Sequence, residues 1–403
     1  MKAKNWIPLL MSLTLLGTTV CISAFRQPQP QHEPTAVKTP ATAEEARQPT
    51  EEMRGVWVTY MELSMEYEEN RSEAAFREKF AHIAHTCRRN GFNTLIVHVR
   101  PFCDALYHSA YFPSSHVLTG EQGIAPDYDA LKVMCEICRD FGLNVHAWIN
   151  PYRVTANDTP EELCDENVFL SHPEMCLETD SGIILNPADA KARELIENGV
   201  RELAENYDID GIQIDDYFYP DDIGAPDRQQ YEEYIEAHPL SPLNLNAWRE
   251  LNVNILLSEL YLLIHHCEKD IMFGISPQGH LSNNEALAAD VVSWCCAKGF
   301  ADYICPQLYF SPEHPQLPFE QALTDWTDLE LADGVKLYGG LAGYKAATDA
   351  DEGTWEYGDT LLSEEYNILK KNQKCDGMML YSFSALEDEE KQTEIKALTD
   401  AFD

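Results

Sequence analysis

Two adjacent carboxylates, Asp215 and Asp216, close the run DGIQIDDY (210–217). Paired acids of this kind divide the work of hydrolysis. One gives a proton to a leaving group, and the other attacks, activates water or holds a substrate group. Asp-Asp also occurs in turns and cation sites, so the pair gains meaning only from what positions it. On a regular strand successive side chains point to opposite sides, so both acids cannot aim at one atom. Ile212 and Ile214 form one face, Gln213 and Asp215 the other. That makes Asp215 the inward acid and Asp216 its partner at the strand end.

The same parity collects further polar groups from neighbouring runs. In LNVHAWIN (143–150), Val145, Ala147 and Ile149 alternate with His146, Trp148 and Asn150. In NTLIVHVR (93–100), Val97 and Val99 alternate with His98 and Arg100. In DYICPQLY (302–309), Ile304 and Leu308 oppose Gln307 and Tyr309. With the apolar faces turned to a helix layer, Arg100, Asn150, Gln213, Asp215, Gln307 and Tyr309 converge on one mouth. Each such group buried without a partner costs roughly 1–3 kcal/mol, so the set either bonds to itself or serves a ligand. Trp148, Tyr152, Tyr217, Phe218, Tyr219 and Tyr309 add aromatic faces of the kind sugar rings stack on, although each alone fits a core equally well.

These groups need a frame. Eight short β-rich runs occur, the four above and those at 55–60, 271–278, 334–343 and 376–383. Helical runs separate them. Phe76, Phe80, Ile83, Ala84 and Cys87 share a helix face before Gly91. Leu131, Met134, Cys135 and Cys138 do so before Gly142, and Ala192, Leu195, Ile196, Val200 and Leu203 make a third face. Alternating strands and helices predict an α/β fold, a (β/α)8 TIM barrel with an extended loop insertion after strand 4, at 218–247. A doubly wound open sheet is the alternative. It is disfavoured because no Gly-rich phosphate loop follows any strand; no cofactor is expected.

Bulk properties narrow the function. Sixty-eight acidic against 29 basic residues give a formal net charge of −39, which repels nucleic acid and anionic lipid. Residues 1–25 carry Lys2 and Lys4 before an uncharged run from Trp6, and predict a signal peptide or membrane anchor, hence an extracytoplasmic protein. Any membrane contact is then through this segment alone. Cys21 would suit lipid attachment, but Val20 stands where a small residue is wanted. Residues 26–52 are rich in Pro, Gln and Glu and predict a disordered tether, leaving 53–403 as the barrel. Cys135 and Cys138 form a CxxC without a second pair, which fits core packing better than metal.

The sequence resembles the family-ten glycosyl-hydrolase-like proteins, which include a division-associated peptidoglycan glycan hydrolase. The resemblance rests on RGVWVTY (54–60), the segment 92–120, GLNVHAWINPYRV (142–154), ILNPA (184–188), DGIQIDDYFYP (210–220), GISPQG (274–279) and ICPQLYF (304–310). It implies a (β/α)8 barrel, export and cleavage of a glycosidic bond. It also implies a site holding Asp215, Asp216, Asn150 and Arg153, with Arg100 and Asp104 from the second strand and its loop. Two positions depart: members often carry Gly where Cys103 stands, and PSSH (113–116) lacks a common Trp.

Within that resemblance one Asp protonates the leaving oxygen, while the other, or Asp104, is base or nucleophile. Carboxyls about 5–5.5 Å apart retain configuration and those about 6.5–9.5 Å apart invert it. A 2-acetamido group on the substrate is a third candidate nucleophile. Arg100 and Arg153 either take a lactyl carboxylate or keep the Asp pair ionised. Two other functions stay open: a non-catalytic glycan-binding barrel, and a metal-dependent hydrolase using His98, His146 and the Asp pair.

Overall fold

The computed structural model describes residues 52–402 apart from positions 222 and 357. The signal segment and nearly all of the tether lie outside the described residues. The barrel strands are β1 (Met53–Val58), β2 (Thr94–Arg100), β3 (Asn144–Ile149), β4 (Gly211–Ile214), β5 (Met272–Ile275), β6 (Tyr303–Ile304), β7 (Lys336–Leu341) and β8 (Cys375–Leu380). They close in the order β1-β8-β7-β6-β5-β4-β3-β2, every pairing parallel. All eight runs are therefore strands, and the open sheet is excluded by closure. The main helices are α1 (Glu73–Arg89), α2 (Ala130–Phe141), α3 (Ala190–Asn206), α4 (Arg228–Ala237), α5 (Leu245–His266), α6 (Val291–Cys296), α7 (Phe319–Thr327), α8 (Leu361–Lys371) and α9 (Gln392–Asp400). Among the described residues no helix is long and apolar enough to cross a membrane.

Local chemistry sets these boundaries. Ser72, Asp129 and Asp189 cap α1, α2 and α3 by accepting first-turn N–H groups. Gly142 ends α2 in the left-handed conformation. The strand faces sort into two cores. Val56, Val58, Val97, Val145, Ala147, Ile212 and Ile214 pack outward on the helices. Met53, Trp57, Ile96, Trp148, Tyr303, Cys305, Tyr338 and Met379 fill the barrel interior. Burying each large apolar side chain contributes about 1.5–3 kcal/mol, which is why parity is enforced so strictly. Cys135 and Cys138 are free and buried on α2, and burial pushes the Cys135 thiol up to about 12.

Two departures affect the mouth. β2 carries an irregularity: His98 pairs with Trp148, but Arg100 pairs with Ile149, so two residues of β2 face one of β3. Parity breaks there, and Arg100 turns outward, contrary to the inward placement expected of it. Its guanidinium lies 4.6 Å over the Phe112 ring and bonds the Asn150 and Pro151 carbonyls at 3.3 and 3.5 Å. It also faces Gly199 of α3, where an added Cβ would stand 3.1 Å from Nη1 and overlap Phe112.

The second departure concerns the loops. The stretch after β4 contains α4, which buries none of its residues. The loop between β3 and α3 is longer and holds an antiparallel hairpin of Cys176–Thr179 and Gly182–Leu185. Those four-residue strands lack the alternation that marks longer ones, so no pattern announced them.

Candidate active site

At the C-terminal mouth, β4 stops at Ile214 and the chain turns, so both acids reach the opening. Trp148 Nε1 donates to Asp215 Oδ2 at 2.9 Å, Asn150 Nδ2 donates to the same oxygen, and the Tyr217 backbone N–H donates to Oδ1 at 3.3 Å. Asp215 is only 4% exposed. Burial, then the charge of Asp216, push it up to about 7; Arg153 and its N–H donors pull the other way. Asp216 is partly exposed, and Gln307 Nε2 donates to its Oδ1 at 3.0 Å. Burial raises it too, opposed by Gln307, Gln278 and Arg153. The two titrate as one unit.

The pair stands where two cavities meet. A cavity of about 250 Å³ is lined by Trp57, Trp148, Asp215, Asp216, Tyr217, Ser276, Gln307, Tyr309, Tyr344 and Tyr381. A larger one of about 550 Å³ shares Asp216 and Tyr217 and runs past Arg153, the β3-loop hairpin and Gln278. Tyr309, Tyr344 and Tyr381 stand 5.7–5.9 Å apart, centroid to centroid, and form an aromatic wall. Gln307 also bonds the Ser276 carbonyl and bridges Gln278 and Gly340, which fixes it although β6 is only two residues long. Pro306, lacking an N–H, helps to end that strand early. Arg153 is clamped between rings, 4.4 Å from the Tyr217 centroid and 5.1 Å from that of Phe102, and its Nε donates to the Pro101 carbonyl at 3.0 Å.

The expected residues thus divide. Asp215, Asp216, Trp148, Tyr217, Gln307, Tyr309 and Arg153 line the cavities. Asn150 is fully buried and reaches the mouth only through Asp215. Gln213 faces inward as parity requires, but it lies below the mouth, accepting from Trp57 Nε1 at 2.6 Å and donating to the Tyr303 hydroxyl at 3.2 Å. His146 is deeper still, bonded to the Tyr303 hydroxyl at 2.9 Å, and burial lowers it to about 4. Gly211 beside it leaves room for the ring, since a Cβ there would come within 2.5 Å of Nδ1. Neither Gln213 nor His146 lines either of these two cavities, contrary to the substrate contact expected of them; they brace the barrel floor.

Arg100 is absent from the mouth for the reason given above. Asp104 is absent too. It is fully buried under the β2 loop, where it takes a bond from Gln122 at 3.1 Å and lies 3.5 Å from His116. Backbone bonds of Ala105 with Pro113 and Ser115 fold that loop back on itself and carry Asp104 away from the pair. Trp57, Ser276, Gln278, Tyr344 and Tyr381 line the cavities without having been anticipated. The alternation of Trp57 with Val56 and Val58 was the available signal for the first of them. Among the described residues no cluster of three or more His, Cys, Asp or Glu has the geometry of a metal site.

Comparison with known proteins places this arrangement. Glycosyl hydrolase YngK of Bacillus subtilis is 33% identical over 322 residues, 74% of this chain, which spans 62% of the length of YngK. Glycosyl hydrolase DigH of Escherichia coli strain K12 is 28% identical over 372 residues, 83% of this chain and 82% of DigH. The glycoside hydrolase domain of PgaB (BpsB) from Bordetella bronchiseptica superposes with a TM-score of 0.57 over 87% of this chain and 98% of that domain, at 13% identity. The catalytic domain of a Paenibacillus polymyxa β-amylase does so with a TM-score of 0.56 over 87% and 96% of the two chains, at 11% identity. Those two likenesses speak to the barrel alone. The sequence pattern of one family, glycosyl hydrolase-like 10, extends over residues 52–356 and so takes in most of the barrel and both acids. The chain belongs to the glycosyl hydrolase-like 10 family.

Proposed function

We propose that the protein is an exported glycoside hydrolase that cleaves the glycan strands of peptidoglycan, with Asp215 and Asp216 as its catalytic pair. The observation that carries the reading is their setting. A buried and a partly exposed carboxylate lie side by side where two cavities meet under an aromatic wall. Family membership supports glycosidic cleavage, and the resemblance seen in the sequence supports peptidoglycan and export. Asp216 touches both cavities and delivers the proton to the leaving oxygen. Asp215 is fixed on both oxygens by N–H donors, which suits a group that orients the substrate or stabilises the charge that develops. Gln307 steers Asp216, and Arg153 offsets the negative charge of the pair.

Two carboxyls this close hold one proton to higher pH than either would alone. Activity should therefore fall as pH rises through about 7, where the pair loses the proton it shares and Asp216 has none left to deliver. Initial rates on peptidase-stripped peptidoglycan between pH 4 and 9 test this. On the same substrate Asp215→Asn and Asp216→Asn should each lose at least 100-fold in kcat, the lower end of a general-acid contribution of roughly 10²–10⁴. Full activity in both variants would sink the reading. Glycan binding that survives in both, with no reducing ends released by wild type, would point to a binding barrel instead.

A further inference from the structure

We propose that His98 is a positioning residue that orients the Asn150 amide toward Asp215, an inference that rests on the hydrolase reading above. His98 is inward on β2 and 1% exposed, outside both cavities, and is given no role by the catalytic pair. Its ring lies flat on the Trp148 indole, with centroids 3.6 Å apart and planes 10° from parallel. Tyr60 closes the side with an edge contact at 5.6 Å. The ring is therefore held in plane and depth with no freedom to seek a partner.

What it lacks is hydrogen bonds. Neither ring nitrogen has a partner of good geometry, and neither does Asn150 Oδ1, another fully buried polar atom. Stranding buried polar atoms this way is costly, and two neighbouring orphans of opposite kind relieve one another. Asn150 is close enough to His98 to act on its protonation through a side-chain bond. Burial and the Arg153 charge hold His98 well below the usual imidazole range, so the ring is neutral and keeps one N–H.

That N–H can face only an acceptor. It selects Asn150 Oδ1, and the amide then has one orientation, with Nδ2 donating to Asp215 Oδ2. Freed from His98, Asn150 can turn over and set an oxygen against the carboxylate. Trp148 joins the two ends of this unit, since it supports the His98 ring and itself donates to Asp215. Both arms favour the ionised form of Asp215. The other charged or titratable groups facing Asp215 are Asp216, Arg153, Tyr217 and Tyr381. His98 lines neither cavity, so it acts on the pair through its neighbours Asn150 and Trp148.

Two substitutions separate the N–H from the ring. His98→Phe keeps the stacking surface on Trp148 and removes the donor. His98→Gln keeps an N–H donor and loses the stack. Expected for His98→Phe is a kcat reduced roughly tenfold with little change in KM, and an alkaline limb of the pH profile moved up by roughly one unit. His98→Gln should restore the limb toward its wild-type position. Wild-type pH profiles in both variants would overturn the inference, as would equal loss in both with the limb unmoved, which is the mark of packing alone.

A readout on the wild-type protein covers the case of poor folding. Nitrogen-15 histidine NMR should show His98 as one neutral tautomer well below the pH at which a free imidazole takes up its proton, with a slowly exchanging ring N–H. A ring that titrates near pH 6.5, or exchanges freely, would overturn the proposal. This measurement needs no substrate. Failure of the wild type to cleave any glycan would therefore strike the hydrolase reading and leave the His98 result to be judged separately.

Discussion

Asp215 accepts N–H groups on both oxygens and still keeps its proton to about pH 7, because burial and Asp216 outweigh those donors. The consequence for stability follows from the sign of the shift. Its folded value lies above the ordinary value of 3.8, so between about pH 4 and 7 the folded state binds protons that the unfolded chain has released. Asp215 stabilises the fold fully below about pH 4, and this contribution is lost as pH rises through about 7. Asp215→Asn keeps the shape and removes the charge. It should melt with the wild type at pH 4 and a few degrees above it at pH 8, read by thermal scans. A variant that melts lower at both pH values would count against the buried charge. The acid itself was legible from parity in DGIQIDDY. The tyrosine wall was not, because Tyr344 and Tyr381 follow strands whose run ends gave no hint of which way the chain turns.

At the scale of elements, counting parity works while a strand stays regular and fails at a bulge. All eight strands were legible from alternation and from the turn residues between them, as were the buried faces of α1 and α2. The extra residue of β2 was not, since a bulge changes no residue type. It alone explains why Arg100 left the mouth and why α3 needs a glycine at 199. Gly199→Ala tests that packing. The new methyl would meet Phe112 and press on the Arg100 guanidinium, both fixed by the fold. Overpacking of this kind costs about 1–3 kcal/mol. Urea unfolding should show a lower midpoint with an unchanged slope, while kcat per folded molecule stays near wild type because Arg100 does not reach the cavities. A tenfold fall in kcat at full folding would return Arg100 to the site. The hairpin at 176–185 shows a different limit: strands of four residues carry too little pattern to stand out from a loop, yet Ile184 and the Thr179–Gly182 turn line the larger cavity.

For the whole molecule the governing quantity is the net charge of −39. Ion pairs are present, but many are exposed on both sides, such as Arg228–Glu232 and Lys396–Asp400, and exposed pairs contribute about 0–1 kcal/mol each. The 68 acidic residues outnumber the 29 basic ones by more than two to one, so most acids have no partner to pair with and repel one another across the surface. Salt weakens both effects, and its net sign tells which dominates. Attraction between pairs acts over a few ångströms; the repulsion sums over the whole molecule and is damped most as the Debye length shrinks from about 30 Å at 0.01 M to about 8 Å at 0.15 M. The repulsive sum should win. Raising sodium chloride from 0.01 to 0.15 M should therefore raise the melting temperature by a few degrees, measured by calorimetry at pH 7.5. A fall over the same range would mean that the ion pairs, few as they are, carry more of the fold than their exposure suggests.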